Sequence, residues 1–385
     1  MLVAASCVYP FTPDIDKTEG RLVIEGDIIV GGTTQVKLSY MGALKDYTYD
    51  CPQGANVWIE NSDGKEFSPY ASSAEDGFLS FSIDLSSAPT SSRYRLCVKN
   101  HDNGHEYASS WLNVLQSPQI DSVGYYIDEA ANQMVIHLSA HSVGNERYYR
   151  WMYDEDWEYH SIYRARVYYV PPTGWNKGRN GNWGTIEEYE DGVNTYFCWG
   201  RDHSKGILIA STADLTDGRI VNHIFDRKEQ DDIKISSLYS VNVKMQALSE
   251  DGYKYWDNMD QISSYGGSLF SPNPSEVRGN IRCVSDTTEL VLGYINASTE
   301  SSCRKYIRNA DTQFYKQSYR TDIAEEYPEE EWYNRYMYGY IPVDPVYDEM
   351  TGEIRGYTWS SKRCVDCRYF GGDKNKPDFW PTTSN

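Results

Sequence analysis

The sequence lacks an excess of positive charge, and this absence excludes several classes of partner. Its 385 residues contain 36 Lys and Arg against 56 Asp and Glu, which gives a formal net charge of −20 at pH 7. A field of that sign repels phosphate backbones and anionic lipid surfaces. We therefore expect no nucleic-acid partner and no electrostatic attachment to an anionic bilayer.

Long apolar runs and familiar catalytic motifs are also missing. No stretch approaches the ~18 consecutive apolar residues that a membrane-spanning helix needs. The sequence has no Gly-x-Ser-x-Gly elbow and no Gly-x-x-x-x-Gly-Lys-Ser/Thr loop, and its 7 His are scattered. It therefore predicts neither serine hydrolysis nor nucleotide chemistry, and we assign no catalytic residue and no cofactor.

Aromatic side chains are what the chain has in excess. It contains 34 Tyr, 11 Trp and 10 Phe, while charged residues make up 24% of the sequence. This composition argues against intrinsic disorder for most of the chain. At roughly 150 residues per domain, the length favours two or three folded domains.

Short segments of alternating polarity, separated by turns, predict a mainly β protein. Residues 1–20 read as a signal remnant and tether, and residues 21–117 as an N-terminal β-sandwich. The stretch at residues 55–64, followed by the strand at residues 94–98, resembles transthyretin-like and fibronectin-like sandwiches. A break near Ser117 ends this predicted domain.

The rest of the chain is predicted as a second β-rich domain and a tail. Aromatic residues alternate along one strand at Tyr149, Trp151 and Tyr153, within the predicted domain of residues 118–308. One helix is expected near residues 249–263, capped by Ser249. Residues 309–385 show little periodicity and are predicted to form an irregular, cysteine-containing wrapping tail.

The first cysteine indicates a lipid anchor. Met1 to Ser6 read Met-Leu-Val-Ala-Ala-Ser, and Cys7 is followed by a Pro-containing stretch. This pattern is similar to the end of a bacterial lipoprotein signal, with Cys7 as the acylated residue. An ordinary apolar N-terminus is the alternative interpretation.

The other cysteines predict disulfides, because an exported protein meets an oxidising environment. We expect the two pairs Cys51 with Cys97 and Cys283 with Cys303. Cys364 and Cys367 are expected to be oxidised to each other or to upstream cysteines. Their two-residue spacing also occurs in zinc and redox sites, but no His follows His223, so a structural bridge is favoured.

Three polar groups have some features of a site, but a structural role is favoured for each. His101 and His105 have a possible ligand spacing but lie in an Asp-Asn-Gly turn, which favours a solvated hairpin tip. Carboxylates at residues 154–158 alternate between the two faces of a strand, so they do not establish a glycosidase pair. The acidic run at residues 325–331 lacks a calcium-loop pattern and favours a solvated face. We predict no metal site.

A loop rich in Gly, Asn and Trp is the predicted binding region. Exposed rings there would stack on sugars, peptides or a receptor surface, whereas the alternative is that they fill the core of the second domain. The candidate ligand- or partner-binding residues are Trp175, Trp183, Tyr189, Tyr196 and Trp199.

Several stretches, in their order, carry a family resemblance. They include Cys-x-x-Pro-Phe-x-Pro at residues 7–13, Arg-Trp-x-Tyr-x-Glu-x-Trp-Glu-Tyr at residues 150–159 and Cys-x-Asp-Cys-Arg at residues 364–368. The chain resembles an uncharacterised, domain-of-unknown-function family of Bacteroidota outer-membrane lipoproteins that are encoded beside TonB-dependent receptors.

This resemblance implies a location and a role. The protein would be a lipid-anchored accessory protein of the outer membrane, at the cell surface, in a TonB-dependent transport system. Its partners would be the TonB-dependent receptor and a nutrient ligand, which is a glycan, a peptide or another molecule. The family carries no established catalytic residues. An extracellular glycan- or peptide-acting enzyme with an unrecognised site is the alternative.

Overall fold

Strands dominate the part of the chain that the computed structural model describes, which is residues 20–41, 50–174, 176–190, 195–264, 279–317 and 323–381. Alternation of buried and exposed side chains produces them, as in Thr33–Tyr40, where Thr34, Val36 and Leu38 are buried and Thr33, Gln35 and Lys37 are exposed. Cys7 and Trp175 lie outside the described residues.

Twenty-five strands lie in these ranges and are numbered in chain order. They are β1 (Leu22–Gly26), β2 (Ile28–Ile29), β3 (Thr33–Tyr40), β4 (Ala55–Asn61), β5 (Glu66–Phe67), β6 (Pro69–Glu75), β7 (Phe78–Asp84), β8 (Arg93–Asn100), β9 (Glu106–Ser109), β10 (Leu112–Asn113), β11 (Gln119–Asp128), β12 (Gln133–His141), β13 (Tyr148–His160), β14 (Val167–Val170), β15 (Thr185–Glu188), β16 (Phe197–His203), β17 (Leu208–Ser211), β18 (Arg219–Glu229), β19 (Leu238–Leu248), β20 (Ile281–Cys283), β21 (Ala297–Ser298), β22 (Ser301–Arg308), β23 (Glu325–Glu326), β24 (Tyr340–Tyr347) and β25 (Ile354–Ser361).

Helices are short and few within the described ranges. They are α1 (Glu250–Ser264), α2 (Asn309–Thr312), α3 (Glu329–Met337) and α4 (Lys362–Val365), with single 3₁₀ turns at Ile233–Ile235 and Cys367–Phe370. None of the helices in these ranges has the length and apolar character to cross a bilayer.

The N-terminal unit is a β-sandwich, as predicted. One sheet has the order β1-β3-β7-β6, and the other has the order β20-β9-β8-β4-β5 with β10 paired to β8. Side chains from the two sheets meet in one apolar core, which includes Ile24 and Leu38 from the first sheet and Ile59, Tyr94 and Val98 from the second. The sandwich is thus closed by burial of both inner faces.

The predicted boundary at residue 117 is incomplete, because a later segment returns to the sandwich. Strand β20 extends the second sheet beside β9, and β21 pairs in parallel with β2. Ile281, Ile295 and Ala297 are buried in the sandwich core. The residues assigned by sequence to the second domain therefore supply part of the first, since the sandwich core needs their apolar side chains.

The central unit packs two antiparallel sheets on each other. Their orders are β11-β12-β18 and β16-β13-β19-β22, and β17 also pairs with β13. Helix α1 packs on the second of these sheets. It begins at the predicted place, because Ser249 Oγ accepts the Gly252 N–H at 3.0 Å and acidic Glu250 and Asp251 occupy the first turn.

The C-terminal segment is not irregular, which corrects the prediction for residues 309–385. Strands β23, β25 and β24 form a three-stranded antiparallel sheet, and α3 packs beside β24. Pro342 and Pro345 interrupt β24 and shift its register against β25. Each proline removes a backbone donor and interrupts the alternation of apolar and polar residues. For this reason the sequence did not predict this strand.

One disulfide ties this C-terminal unit to the central sheet. Cys198 on β16 is bonded to Cys367, with a Cα–Cα distance of 5.7 Å and 169 residues between them in sequence. Tyr159 OH donates to the Cys367 carbonyl oxygen at 2.5 Å beside the bond. The expectation that Cys367 pairs with an upstream cysteine is confirmed, although Cys198 was not among the named candidates. The expectation that Cys364 is also oxidised is wrong, because Cys367 is bonded to Cys198 and the Cys364 thiol is free.

The other expected cysteine pairs, Cys51 with Cys97 and Cys283 with Cys303, do not form, because the fold does not bring their members opposite each other. Cys97 lies opposite Trp58 and Ala108 in its sheet, and Cys283 and Cys303 belong to different units. The cysteines with free thiols among the described residues are Cys51, Cys97, Cys283, Cys303 and Cys364.

Loss of the disulfide should destabilise the protein measurably. We expect the Cys198→Ser/Cys367→Ser variant to lose about 2–5 kcal/mol of unfolding free energy, because the bond closes a long loop in the unfolded chain. Denaturant titration measures this loss, with Cys303→Ser as the control. Alkylation of unreduced, denatured protein followed by mass spectrometry should leave Cys198 and Cys367 unmodified; modification of both would contradict the bond.

Candidate functional site

A groove of about 450 Å³ lies where the N-terminal sandwich meets the central sheet, and we call it the junction groove. It is bordered by β1, β3, β13, β17, β19 and α1. The side chains that matter for its chemistry are Glu25, Lys37, Arg150, Met152, Lys244 and Trp256.

Strand β13 presents different chemistry on its two faces. Tyr149, Trp151 and Tyr153 point into the core between the two central sheets. Because side chains alternate along a strand, Arg150 and Met152 lie on the opposite face, which borders the groove. The aromatic alternation predicted for this strand is therefore present, and the polar alternate positions form part of a site.

A buried ion pair joins the two units at the bottom of the groove. Asp27 lies between β1 and β2, and its Oδ2 accepts from Arg150 Nη2. The two side chains are only 4% and 11% exposed, respectively. Asp27 Oδ1 also accepts the backbone N–H of Asn296 at 3.1 Å. Burial raises the pKa of Asp27, while the Arg150 guanidinium opposes this shift.

Arg150 connects this pair to helix α1 and strand β19. Its guanidinium carbon lies 4.4 Å from the centre of the Trp256 ring, and Nη2 donates to Gln246 Oε1 at 3.3 Å. Gln246 in turn donates to Glu300 Oε2 at 3.0 Å. The contacts hold the side chains of the groove floor in fixed positions.

The groove combines charges of both signs with apolar surface. Glu25, Lys37 and Glu300 are exposed at its edges, and Lys244 forms a 2.8 Å ion pair with Asp154. Met152 is 41% exposed. Since both oxygens of Asp27 already accept hydrogen bonds, the buried carboxylate is engaged as a structural acceptor. The arrangement suits binding of a molecule that carries both charge signs.

Carboxylates of the acidic stretch on β13 are all paired inside the fold. They point to alternating faces, as expected, and their partners are Lys244 for Asp154, Lys228 and Lys234 for Glu155, Arg201 and Arg304 for Asp156, and Trp380 Nε1 for Glu158. The buried carboxylates Glu155 and Asp156 thus face cations, whereas the buried Glu158 carboxylate accepts from the neutral indole of Trp380.

Glu155 is the centre of a charged cluster between the central sheets. Its carboxylate oxygens accept from Lys228 Nζ, Lys234 Nζ and the Tyr239 hydroxyl at 2.5–2.6 Å. Burial opposes ionisation of Glu155, but the lysines hold its pKa below the usual value. The contact between Lys234 and Asp202 lowers the pKa of that aspartate to about 2. The cluster is therefore ionised and internally satisfied at neutral pH.

The second acidic run is partly paired as well. Glu331 in the first turn of α3 contacts Arg335 at 2.8 Å, and Glu326 on β23 contacts Arg355 at 3.0 Å. The three glutamates at the start of α3 also lie at the favourable end of the helix dipole. The run thus serves local structure.

Each of the described aromatic residues proposed for binding is engaged by a different neighbour within the protein. Tyr189 packs on Tyr168, and Tyr196 stacks on His160 at 4.8 Å. Trp199 lies on β16 opposite Glu158, and its backbone N–H donates to the Asp373 carbonyl oxygen. The remaining described candidate, Trp183, lies in the loop between β14 and β15.

The β14–β15 loop packs closely on its surroundings. Tyr169 OH donates to the Trp183 carbonyl oxygen. A Cβ at Gly178, which has φ +67°, would lie 2.3 Å from Cδ1 of Tyr333 on α3. Glycine is therefore required at this close approach, and the loop is held against the C-terminal unit.

Sequence reasoning missed Asp27, Arg150 and Trp256 as members of one site. The sequence offered two signals: Arg150 is the one arginine of an aromatic-rich strand, and Asp27 lies between the two apolar segments that form β1 and β2. Sequence alone does not show that residues 123 positions apart meet, so the pair could not be assigned.

The chain matches a protein-family model. A family model described as "Domain of unknown function (DUF4249)" matches residues 8–304. This range includes the N-terminal sandwich, the junction groove and nearly all of the central unit. No curated protein matches the chain.

A solved structure described as "Biofilm associated protein - BSP domain" has 7% sequence identity to the chain and a TM-score of 0.16. The alignment covers 76% of this chain and 60% of that one. The chain thus spans less than two thirds of that structure, and a TM-score this low supports no argument.

Removing one member of the buried ion pair should be costly. We expect Arg150→Met to lower the unfolding free energy by about 3–5 kcal/mol, because it leaves Asp27 charged and buried. The double variant Arg150→Met/Asp27→Asn should recover part of this loss. Urea titrations measure both, with Lys244→Met expected to cost at most about 1 kcal/mol as an exposed pair. Equal losses for Arg150→Met and Lys244→Met would contradict the assignment.

Proposed function

The chain belongs to the DUF4249 family, a domain of unknown function, and from that membership we propose that it is a binding protein of a transport system. It is lipid-anchored to the outer membrane through Cys7 and acts as an accessory protein of a TonB-dependent transporter. It binds the transporter and holds a small ligand in the junction groove. The observation that carries the ligand-binding role is the lining of that groove. It combines a hydrogen-bonded floor with side chains of both charge signs at the edges.

A short peptide is the ligand class that fits this lining. Glu25 and Glu300 offer acceptors for an amino group, whereas Lys37 and Lys244 offer donors for a carboxylate. Met152 and Leu208 add apolar surface for a side chain. The dimensions agree with this class, because sites for small molecules enclose roughly 300–1,000 Å³.

A sugar fits less well. Sugar recognition commonly uses an open aromatic face, but the Arg150 guanidinium lies over the Trp256 ring at 4.4 Å. Trp151 also lines the groove, yet its side chain is buried and its ring meets the edge of His223. The aromatic surface of the groove is therefore already engaged within the protein.

The groove favours binding over catalysis. An acid or base must have an oxygen or nitrogen atom within reach of the reacting group. The buried Asp27 uses one oxygen for Arg150 and the other for the Asn296 N–H. Its raised pKa thus follows from burial in a structural pair.

The transporter contact is proposed for the loop between β14 and β15. Its Trp183 is half-buried and accepts from the Tyr169 hydroxyl through its carbonyl oxygen, and Gly178 of the same loop packs closely on Tyr333 of helix α3. A rigid loop that carries a large aromatic side chain loses little conformational entropy on binding a partner.

Filling the groove should abolish peptide retention. Met152→Trp places a larger side chain on the groove wall at a partly exposed position, so folding should be preserved. We expect purified wild-type protein to retain tripeptides from a mixed tripeptide library in native mass spectrometry. The Met152→Trp variant should retain at least tenfold less.

The matched control is the same change at Met350, which is 95% exposed on the turn between β24 and β25. Met350→Trp should bind as the wild type does. Absence of retained peptide in the wild type, or equal retention by Met152→Trp at unchanged melting temperature, would refute the peptide site.

Membrane attachment and transporter binding have a separate test. With its native signal, the wild type should fractionate with outer membranes and co-purify a TonB-dependent barrel, whereas Cys7→Ala should be released from the membrane. Trp183→Ala should lower the amount of barrel recovered, and Trp111→Ala, a partly exposed tryptophan on the N-terminal sandwich, is its control. Full membrane retention of Cys7→Ala, or a wild type that recovers no such barrel, would refute this part of the proposal.

A further inference from the structure

Three segments bring a histidine, a cysteine and a glutamate together at one end of the N-terminal sandwich. His105 lies at the tip of the β8–β9 hairpin, Cys283 ends β20, and Glu289 follows the next turn. One ligand atom from each, an imidazole nitrogen, the sulfur and a carboxylate oxygen, lies within 4.8 Å of the other two. We call this group the thiol–imidazole cluster.

Pairing of β20 with β9 creates the cluster. Cys283 lies opposite Tyr107 in the antiparallel register, so its thiol comes beside the hairpin tip two residues earlier. The Val284 N–H donates to the Glu106 carbonyl oxygen at 2.6 Å, and the Glu106 N–H donates to Ser285 Oγ at 2.9 Å. Backbone contacts therefore hold the two segments together independently of the three side chains.

The sulfur atom accepts one hydrogen bond and donates another, since the Cys283 thiol donates to Glu289 Oε2 at 3.8 Å. The backbone N–H of Asp286 donates to Cys283 Sγ at 3.3 Å. Asp286 itself is fixed in a turn, since its carboxylate accepts the Thr288 N–H at 2.8 Å. A backbone N–H that points at the sulfur stabilises negative charge there, and a metal ligand requires the thiolate form.

The carboxylate is oriented by neighbours that are not ligands. Glu289 Oε1 accepts from the buried Tyr107 hydroxyl and from Asn103 Nδ2, while Oε2 faces His105 Nδ1 and lies 3.8 Å from the Cys283 sulfur. One oxygen is thus fixed, and the other is directed to the nitrogen and the sulfur. Orientation of a ligand by outer hydrogen bonds is characteristic of built metal sites.

We propose that the thiol–imidazole cluster binds a divalent ion of the zinc class through Cys283, His105 and Glu289. Sulfur, imidazole and carboxylate are the donors that Zn²⁺ takes, at about 2.0–2.3 Å. Ligand atoms around a tetrahedral ion with such bonds lie roughly 3.3–3.8 Å apart. In the ion-free protein His105 Nδ1 and Glu289 Oε2 contact each other directly, so these two side chains must separate to admit the ion.

The fourth coordination position faces solvent. His105 is 32% exposed and Glu289 is 24% exposed, whereas Cys283 is buried. A site with three protein ligands and one open position accepts water or an external donor. When the ion displaces the Cys283 thiol proton, its 2+ charge balances the resulting thiolate and the Glu289 carboxylate.

The other histidine of the hairpin is not part of the cluster. His101 Nε2 lies 3.2 Å from Asn56 Oδ1, on the opposite side of the tip. The spacing of His101 and His105 therefore does not form a ligand pair, as the sequence indicated. The prediction of no metal site considered only residues close together in sequence, whereas the residues that meet His105 lie 178 or more positions later.

Titration of metal-free protein with Zn²⁺ tests the site. We expect one ion per chain, with affinity reduced at least tenfold by His105→Gln, Glu289→Gln or Cys283→Ser. Tyr107→Phe should weaken binding about 10–100-fold by releasing Glu289. Matched controls are His101→Gln, from the same hairpin, and Cys303→Ser, a free thiol on β22; both should bind as the wild type does.

Co²⁺ supplies a readout of sulfur ligation. The wild-type complex should show a thiolate-to-cobalt charge-transfer band, which Cys283→Ser should remove and Cys303→Ser should retain. If Cys283→Ser fails to fold, the partly exposed His105→Gln and Glu289→Gln variants decide the question. Absence of stoichiometric Zn²⁺ binding, or unchanged affinity in folded His105→Gln and Glu289→Gln, would overturn the proposal.

Discussion

The buried pair of Asp27 and Arg150 is the interaction on which the arrangement of the two β units depends. A carboxylate and a guanidinium removed from water are each unfavourable unless they meet and their remaining polar atoms are satisfied. Asp27 meets both conditions with Arg150 and the Asn296 N–H, which come from β13 and from the returning segment. The relative position of these three parts is therefore constrained by charge, whereas apolar packing alone would tolerate sliding.

Strand β13 carries this constraint into the rest of the central unit. Its 13 residues pair with β16, β17 and β19 and border both the inter-sheet core and the groove. On the core face, the Glu155 carboxylate is paired with Lys228 and Lys234, so its charge is neutralised within the core. A long strand can thus remain rigid while one of its faces presents polar groups to a ligand.

The sequence predicted what depends on neighbouring residues and missed what depends on distant ones. Alternation located the sandwich strands, and the Ser249 cap located α1, because both are local signals. The pairing of Cys198 with Cys367, the return of β20 to the first sheet and the contact of Asp27 with Arg150 span long stretches of chain. Before the topology is known, each of these residues has many possible partners along the chain. Composition and spacing therefore could not predict which contact forms.

The returning segment places the two proposed sites on one continuous piece of backbone. Cys283 and Glu289 lie near its start, and Asn296, whose N–H supports Asp27 beneath the groove, lies near its end. An ion that binds these two residues together with His105 of the β8–β9 hairpin binds only the state in which this segment lies on the sandwich, and so it stabilises that state by mass action. The same state supplies the Asn296 N–H that Asp27 needs. Ion binding at one end of the sandwich would therefore favour the ordered form of the junction groove at the other, through docking of a shared segment rather than through direct contact between the sites.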